Sequence, residues 1–90
     1  MKEEPQLFIL IEAYRPLKGW VEKIYKELQK IEGVIPFKIC GPWDIVAEVR
    51  TPTYEEAKDI REKIINLKGV ESAITLRVIP DWKKETKEFM

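Results

Sequence analysis

Three carboxylates, Glu12, Glu48 and Asp44, sit beside apolar runs in this 90-residue chain, a setting in which a carboxylate can act as a general base or hold an ammonium group. Glu12 and Glu48 close two similar stretches, Ile9-Leu10-Ile11-Glu12 and Ile45-Val46-Ala47-Glu48. As neighbours on adjacent strands they would make a carboxylate pair for acid/base work. As ordinary strand residues they would pair with Arg50 or Arg77, because a buried charge needs a partner. The chain has no histidine, which excludes histidine-based acid/base chemistry, haem ligation and most zinc sites. Cys40 is the single cysteine, with no partner for a disulfide and no imidazole to activate it, so it reads as strand packing.

Asp44 belongs to Ile39-Cys40-Gly41-Pro42-Trp43-Asp44-Ile45, a set of turn residues between two β-branched runs. Val34 to Cys40 and Ile45 to Arg50 suit strands, Gly41 allows an unusual backbone angle, and Pro42 pre-sets φ for a reversal. A hairpin follows, with Trp43 and Asp44 at the mouth of a sheet. Two readings stand side by side. In one, Trp43 caps the core and Asp44 bonds nearby backbone amides; in the other, both face a ligand.

The elements that must position these residues come from periodicity. Leu7 to Ile11 is apolar at odd and even positions, the mark of a central strand covered on both faces. Pro16 opens a helix whose apolar stripe is Leu17, Trp20, Val21, Ile24, Leu28 and Ile31, with Gly33 as its C-cap. Thr53 and Glu56 form a capping box for a second helix with Ala57, Ile60, Ile64 and Leu67 inward, stopped by Gly69. Val70 to Ile79 is the last strand, with Val70, Ser72, Ile74, Leu76 and Val78 on one face, and Pro80 ends it.

The two halves repeat without a gap at an offset of 36 residues: Ile9 matches Ile45, Pro16 matches Pro52, Ile24 matches Ile60, and Gly33-Val34 matches Gly69-Val70. Two tandem βαβ units with right-handed crossovers give an α+β, ferredoxin-like βαββαβ fold: a four-stranded antiparallel sheet of order 4-1-3-2 with two helices on one face. Residues 1–90 form one domain with its core in 7–80 and a C-terminal tail at 81–90. The repeat sends Ile9, Ile11, Ile45 and Ala47 toward the helices and leaves Phe8, Leu10, Tyr14 and Val46 on the open face, a patch apolar enough to bury in a homodimer.

Sixteen basic and sixteen acidic residues cancel, so no net field recruits nucleic acid or anionic lipid. Val46-Ala47-Glu48-Val49 lacks the stacking aromatics of RNA-binding sheets. Charged residues make up 36%, mostly Lys and Glu, a composition of thermophilic proteins. The acidic start is unlike a signal peptide and Leu7 to Ile11 is too short to span a bilayer, so a cytoplasmic protein is expected.

Gly41, Trp43 and Asp44 leading into Ile45-Val46-Ala47-Glu48-Val49, together with Gly69-Val70 opening the last strand, resemble the C-terminal effector domain of the Lrp/AsnC family of prokaryotic transcription regulators over residues 7 to 80. The resemblance implies dimers joined through their sheets, assembly of dimers into higher oligomers, and an amino-acid effector between dimers. Carried over residue by residue, it places Gly41 and Asp44 at the effector pocket with Trp43 as a wall, and Ser72 and Thr75 as the polar positions of the last strand. The family pattern often carries two threonines one residue apart after Gly-Val, where this chain has Ala73 and Thr75. The first strand starts within ten residues, so the expectation is the stand-alone form, with no DNA-binding helix-turn-helix, no cofactor and no metal, acting through a full-length homologue. Two alternatives remain at this stage. Arg15-Pro16-Leu17-Lys18-Gly19 resembles the first loop of ACT amino-acid-binding domains, and a small ferredoxin-like enzyme would draw its base from Glu12, Glu48 or Asp44.

Overall fold

A computed structural model describes residues 5–16 and 19–79 of the chain. The element order is β1 (Pro5–Ala13), α1 (Trp20–Gln29), β2 (Val34–Lys38), β3 (Ile45–Arg50), α2 (Tyr54–Ile65) and β4 (Val70–Arg77). All strand pairs are antiparallel, in the order β2-β3-β1-β4, which is the 4-1-3-2 sheet of the ferredoxin-like fold.

The core lies between the sheet and the helices, as the repeat requires. Leu7, Ile9 and Ile11 of β1, Ile45, Ala47 and Val49 of β3, Leu28 of α1, and Ala57 and Ile64 of α2 have no exposed surface, and Ile24 of α1 is almost fully buried. Odd positions of both central strands point inward because side chains alternate along a strand. At roughly 1.5–3 kcal/mol for each fully buried large aliphatic side chain, this layer dominates the favourable part of the folding free energy.

The helix boundaries differ from the expectation. Helix α1 starts at Trp20 rather than Pro16, because Gly19 takes a left-handed φ of 92° that a helix cannot continue through; Leu17 lies outside the described residues. It closes on Lys30, and Gly33 falls in the turn that follows instead of capping it. Helix α2 begins as expected: the Thr53 hydroxyl accepts the backbone N–H of Glu56 at 3.2 Å. It closes on Asn66, and Gly69 stands at φ 96° in the turn before β4. There it is packed against Trp20, since a Cβ on Gly69 would sit 2.3 Å from the indole.

Three strand details also change. Strand β2 stops at Lys38, so Cys40 is exposed in the loop rather than packed in a strand. Strand β4 stops at Arg77, short of Ile79. Its register against β1 slips between Ser72 and Val70, which pair with Glu12 and Ala13. That bulge turns Val70 onto the core, away from the face shared by Ser72, Ile74 and Leu76.

Candidate functional site

The site is built where β1, β3 and the start of α1 meet at one end of the sheet. The backbone N–H of Ile39 donates to the Asp44 carbonyl at 3.0 Å and closes the hairpin, with Gly41 at φ 126° in the loop. The backbone N–H of Asp44 donates to the carbonyl of Ile11 at 2.9 Å, which continues the β1–β3 ladder past Ile45. Its side chain then reaches forward, where Oδ2 accepts the N–H of Ala13 at 2.8 Å. Arg15 completes the setting, with Nη2 3.3 Å from Asp44 Oδ1 and Nε 3.6 Å from Glu12 Oε2.

Asp44 is therefore anchored across 31 residues of sequence, and its carboxylate is only 16% exposed. It flanks a cleft of about 270 Å³ lined by Ala13, Tyr14, Arg15, Gly19, Trp20, Val21 and Asp44. One acceptor, one fork of donors and apolar walls meet there, a donor set suited to a small zwitterion. The local reading of Asp44 and the ligand reading describe different oxygens and lone pairs of one carboxylate, since each oxygen can accept more than one bond.

The other expected residues do not converge on this cleft. Gly41 and Trp43 lie in the hairpin loop outside its lining. Ser72 is on the open face of the sheet, donating to Glu12 Oε1 at 3.0 Å. Thr75 stands opposite Ile9 on the helix side, where its hydroxyl accepts Arg61 Nε at 3.1 Å. Two residues separated by an odd number of positions in one strand face opposite ways, so strand parity alone separates Ser72 from Thr75.

Glu12 and Glu48 are not neighbours either. Antiparallel pairing sets Glu48 opposite Phe8 and Glu12 opposite Ser72, four residues apart along β1, roughly 13 Å. Glu48 pairs with Arg50 Nε at 2.5 Å, while Glu12 takes Arg15 instead of Arg50 or Arg77. The Glu12–Glu48 pair expected for acid/base work is therefore not formed, and among the described residues no group of three His, Cys, Asp or Glu side chains is placed to hold a metal ion. No described helix is long and apolar enough to cross a membrane.

The sequence matches no protein-family profile and no curated protein. Solved structures do match. TTHA0845 from Thermus thermophilus is 28% identical with a TM-score of 0.73, over 86% of this chain and 95% of that one. The hypothetical protein PHS023 from Pyrococcus horikoshii is 20% identical at a TM-score of 0.72, over 92% of this chain and 99% of that one. An AsnC family transcriptional regulator from Agrobacterium tumefaciens superposes at a TM-score of 0.72 with 11% identity, over 88% of this chain and 52% of that one. The chain shares its fold with an AsnC-family regulator. It spans about half the length of that regulator and nearly all of the two smaller proteins.

On this AsnC-like fold the open sheet face carries more apolar surface than the sequence indicated. Phe8, Leu10 and Val46 are half-buried as neighbours in the sheet, and beside them Ile35, Phe37, Ile74 and Leu76 stand between 42% and 49% exposed. Ile35 and Phe37 were missed because Pro36 interrupts the β2 pattern, although their spacing of two places both on one face. Tyr14 does not join this face as a strand residue; β1 ends at Ala13, and Tyr14 lines the cleft beside Asp44. Arg15 was missed as a site residue because its partner lies 29 positions away.

Proposed function

We propose that the protein is an amino-acid-responsive regulatory module that works as a homodimer or higher oligomer and bears on transcription through a DNA-binding homologue. The observation that carries this reading is Asp44, a carboxylate anchored by Ala13 beside a small cleft of mixed polar and apolar lining at the sheet end, in a fold shared with an AsnC-family regulator. An ammonium group finds its acceptor there, and Tyr14, Trp20 and Val21 supply the wall. A second copy covers Phe8, Leu10, Ile35, Phe37, Val46, Ile74 and Leu76, and several such side chains contribute several kcal/mol to association at roughly 25 cal/mol per Å². A balanced charge of sixteen against sixteen fits a partner that brings its own DNA-binding surface. An enzyme reading has lost its Glu12–Glu48 pair and keeps Glu12 and Asp44 on either side of Arg15, and the ACT-like reading shares the amino-acid chemistry of the cleft.

A thermal-shift series with the twenty amino acids tests the binding claim. At 100 times its dissociation constant, a ligand that binds only the folded form adds about 2.7 kcal/mol, a melting shift of roughly 10–20 °C for a domain of this size. Asp44→Asn keeps an acceptor for Ala13 N–H and removes the charge, so it abolishes the shift while the unliganded fold persists. Silence from all twenty amino acids on the wild type overturns the reading.

A further inference from the structure

We propose that the cleft between the exposed side of α1 and the turn leading into β4 is a binding site for linked phosphates, the di- or triphosphate group of a small molecule. It shares Trp20 with the lining of the Asp44 cleft, and it stands whether or not an amino acid binds there.

Four ammonium groups, those of Lys23, Lys26, Lys30 and Lys68, meet one carboxylate, Glu27, around a volume of about 440 Å³. Trp20 and Leu67 are the apolar part of the lining. Lys23, Lys26 and Lys30 recur at steps of four residues or fewer, which sets them in one row along α1, about 10 Å long at 1.5 Å rise per residue. Lys68 comes from the other half of the chain. Gly69 brings it there: without a Cβ the turn before β4 closes onto the Trp20 indole, and the preceding residue joins the α1 row. Two of the four heads are already steered, with Lys23 Nζ 4.9 Å from the Trp20 ring centroid and Lys30 Nζ 3.1 Å from Glu27 Oε2.

Helix stability does not account for this charge. The dipole of α1 favours cations in its last turn, which suits Lys26 and Lys30 but not Lys23 near its start, and like charges one helical turn apart repel. The 36-residue repeat supplies an internal control. The positions equivalent to Lys23, Lys26 and Lys30 are Asp59, Glu62 and Asn66 on α2, and the position equivalent to Lys68 is Glu32. The second half of the same fold thus carries acidic or neutral groups where this cleft carries lysine. In a chain with sixteen charges of each sign, the row is a local concentration. Ammonium groups are compact charges suited to phosphate oxygens. One phosphate cannot reach along a row of about 10 Å, whereas linked phosphates touch several of its members at once. The volume falls in the range of small-molecule sites.

The test titrates inorganic phosphate, triphosphate, ATP and a short DNA duplex by calorimetry at fixed ionic strength. Triphosphate is expected to bind at low salt with a dissociation constant below about 1 mM, about 10-fold or more tighter than phosphate, and to weaken as salt rises. ATP weaker than triphosphate assigns the site to a free phosphate chain, and ATP at least as tight assigns it to a nucleotide; either result supports the proposal. Lys26→Gln and Lys68→Gln are each expected to weaken triphosphate about 3- to 10-fold, and Lys68→Glu more, with the unliganded melting temperature unchanged. Lys63→Gln on α2 removes the same net charge and is expected to leave binding as in the wild type. The proposal is overturned if triphosphate does not bind, if phosphate binds as tightly, or if Lys63→Gln weakens binding as much as Lys68→Gln. A DNA duplex that displaces triphosphate at lower concentration than ATP also overturns it, by assigning the row to a nucleic-acid backbone.

Discussion

The two faces of the one sheet are built by the same four strands and end differently. Toward the helices, Leu7, Ile9, Ile11, Ile45 and Val49 are sealed from water. On the other side, Ile35, Phe37, Ile74 and Leu76 stand half in solvent with no described element above them. A sheet face meant for water alternates apolar with polar residues; here both faces of β1 are apolar, and Glu48 and Arg50 satisfy each other within the open face. Folding accounts for the first face. The second is the face that the proposed homodimer covers, since a monomer gains nothing from a patch of this kind.

Substitutions separate the two roles. Ile9→Ala removes a fully buried side chain from the helix-side face and should cost about 2–5 kcal/mol of unfolding free energy in urea, with the native mass unchanged. Phe37→Glu places a charge on the open face and should raise the dissociation constant about 10- to 100-fold, a cost of about 1–3 kcal/mol. At dilutions where both proteins are monomers its stability should equal that of the wild type; equal loss at every concentration would make the open face part of the fold.

Gly69→Ala sharpens the picture of the closed face. The new methyl must push Trp20 aside and adopt a φ of 96°, so a loss of about 1–2 kcal/mol is expected in thermal unfolding. A neutral result would mean that the Trp20 indole is not seated on this glycine.

The smallest effect is expected at the Glu22–Lys38 contact, which ties α1 to β2 at 2.7 Å on the surface. The hydrogen bond and charge of Lys38 hold the Glu22 carboxyl below its usual range, and the bond to Glu22 holds the Lys38 ammonium above its own. The stability from Glu22 is present above the usual carboxylate pKa and lost as pH falls through the lowered value. That from Lys38 is present below the usual lysine pKa and lost as pH rises through the raised value. Lys38→Met should therefore shift melting slightly at neutral pH, and the difference should vanish in acid and in high salt.

The fold was legible because the 36-residue repeat doubled every signal: the Ile9 and Ile45 strands, the two helical stripes and the Gly-Val strand starts confirm one another. The β4 bulge was not, because a one-residue slip leaves no mark in an alternating pattern that is apolar on both faces. Helix α1 started late because apolar spacing registers which face is buried and is blind to the left-handed turn at Gly19. The site was legible only in part. Asp44 could be singled out by its hairpin, while its link to Ala13 and Arg15 depends on where β1 ends relative to β3, a tertiary register that no local motif encodes.

The claim that a second copy completes the open face is tested most directly by the light-scattering mass of the wild type beside Leu10→Glu, whose substitution falls at the centre of that face between Val46 and Ile74. The account predicts a wild-type mass that is an even multiple of 10.6 kDa and a shift toward a single 10.6 kDa species in the variant. A wild type that stays at 10.6 kDa from micromolar to millimolar concentration would contradict it.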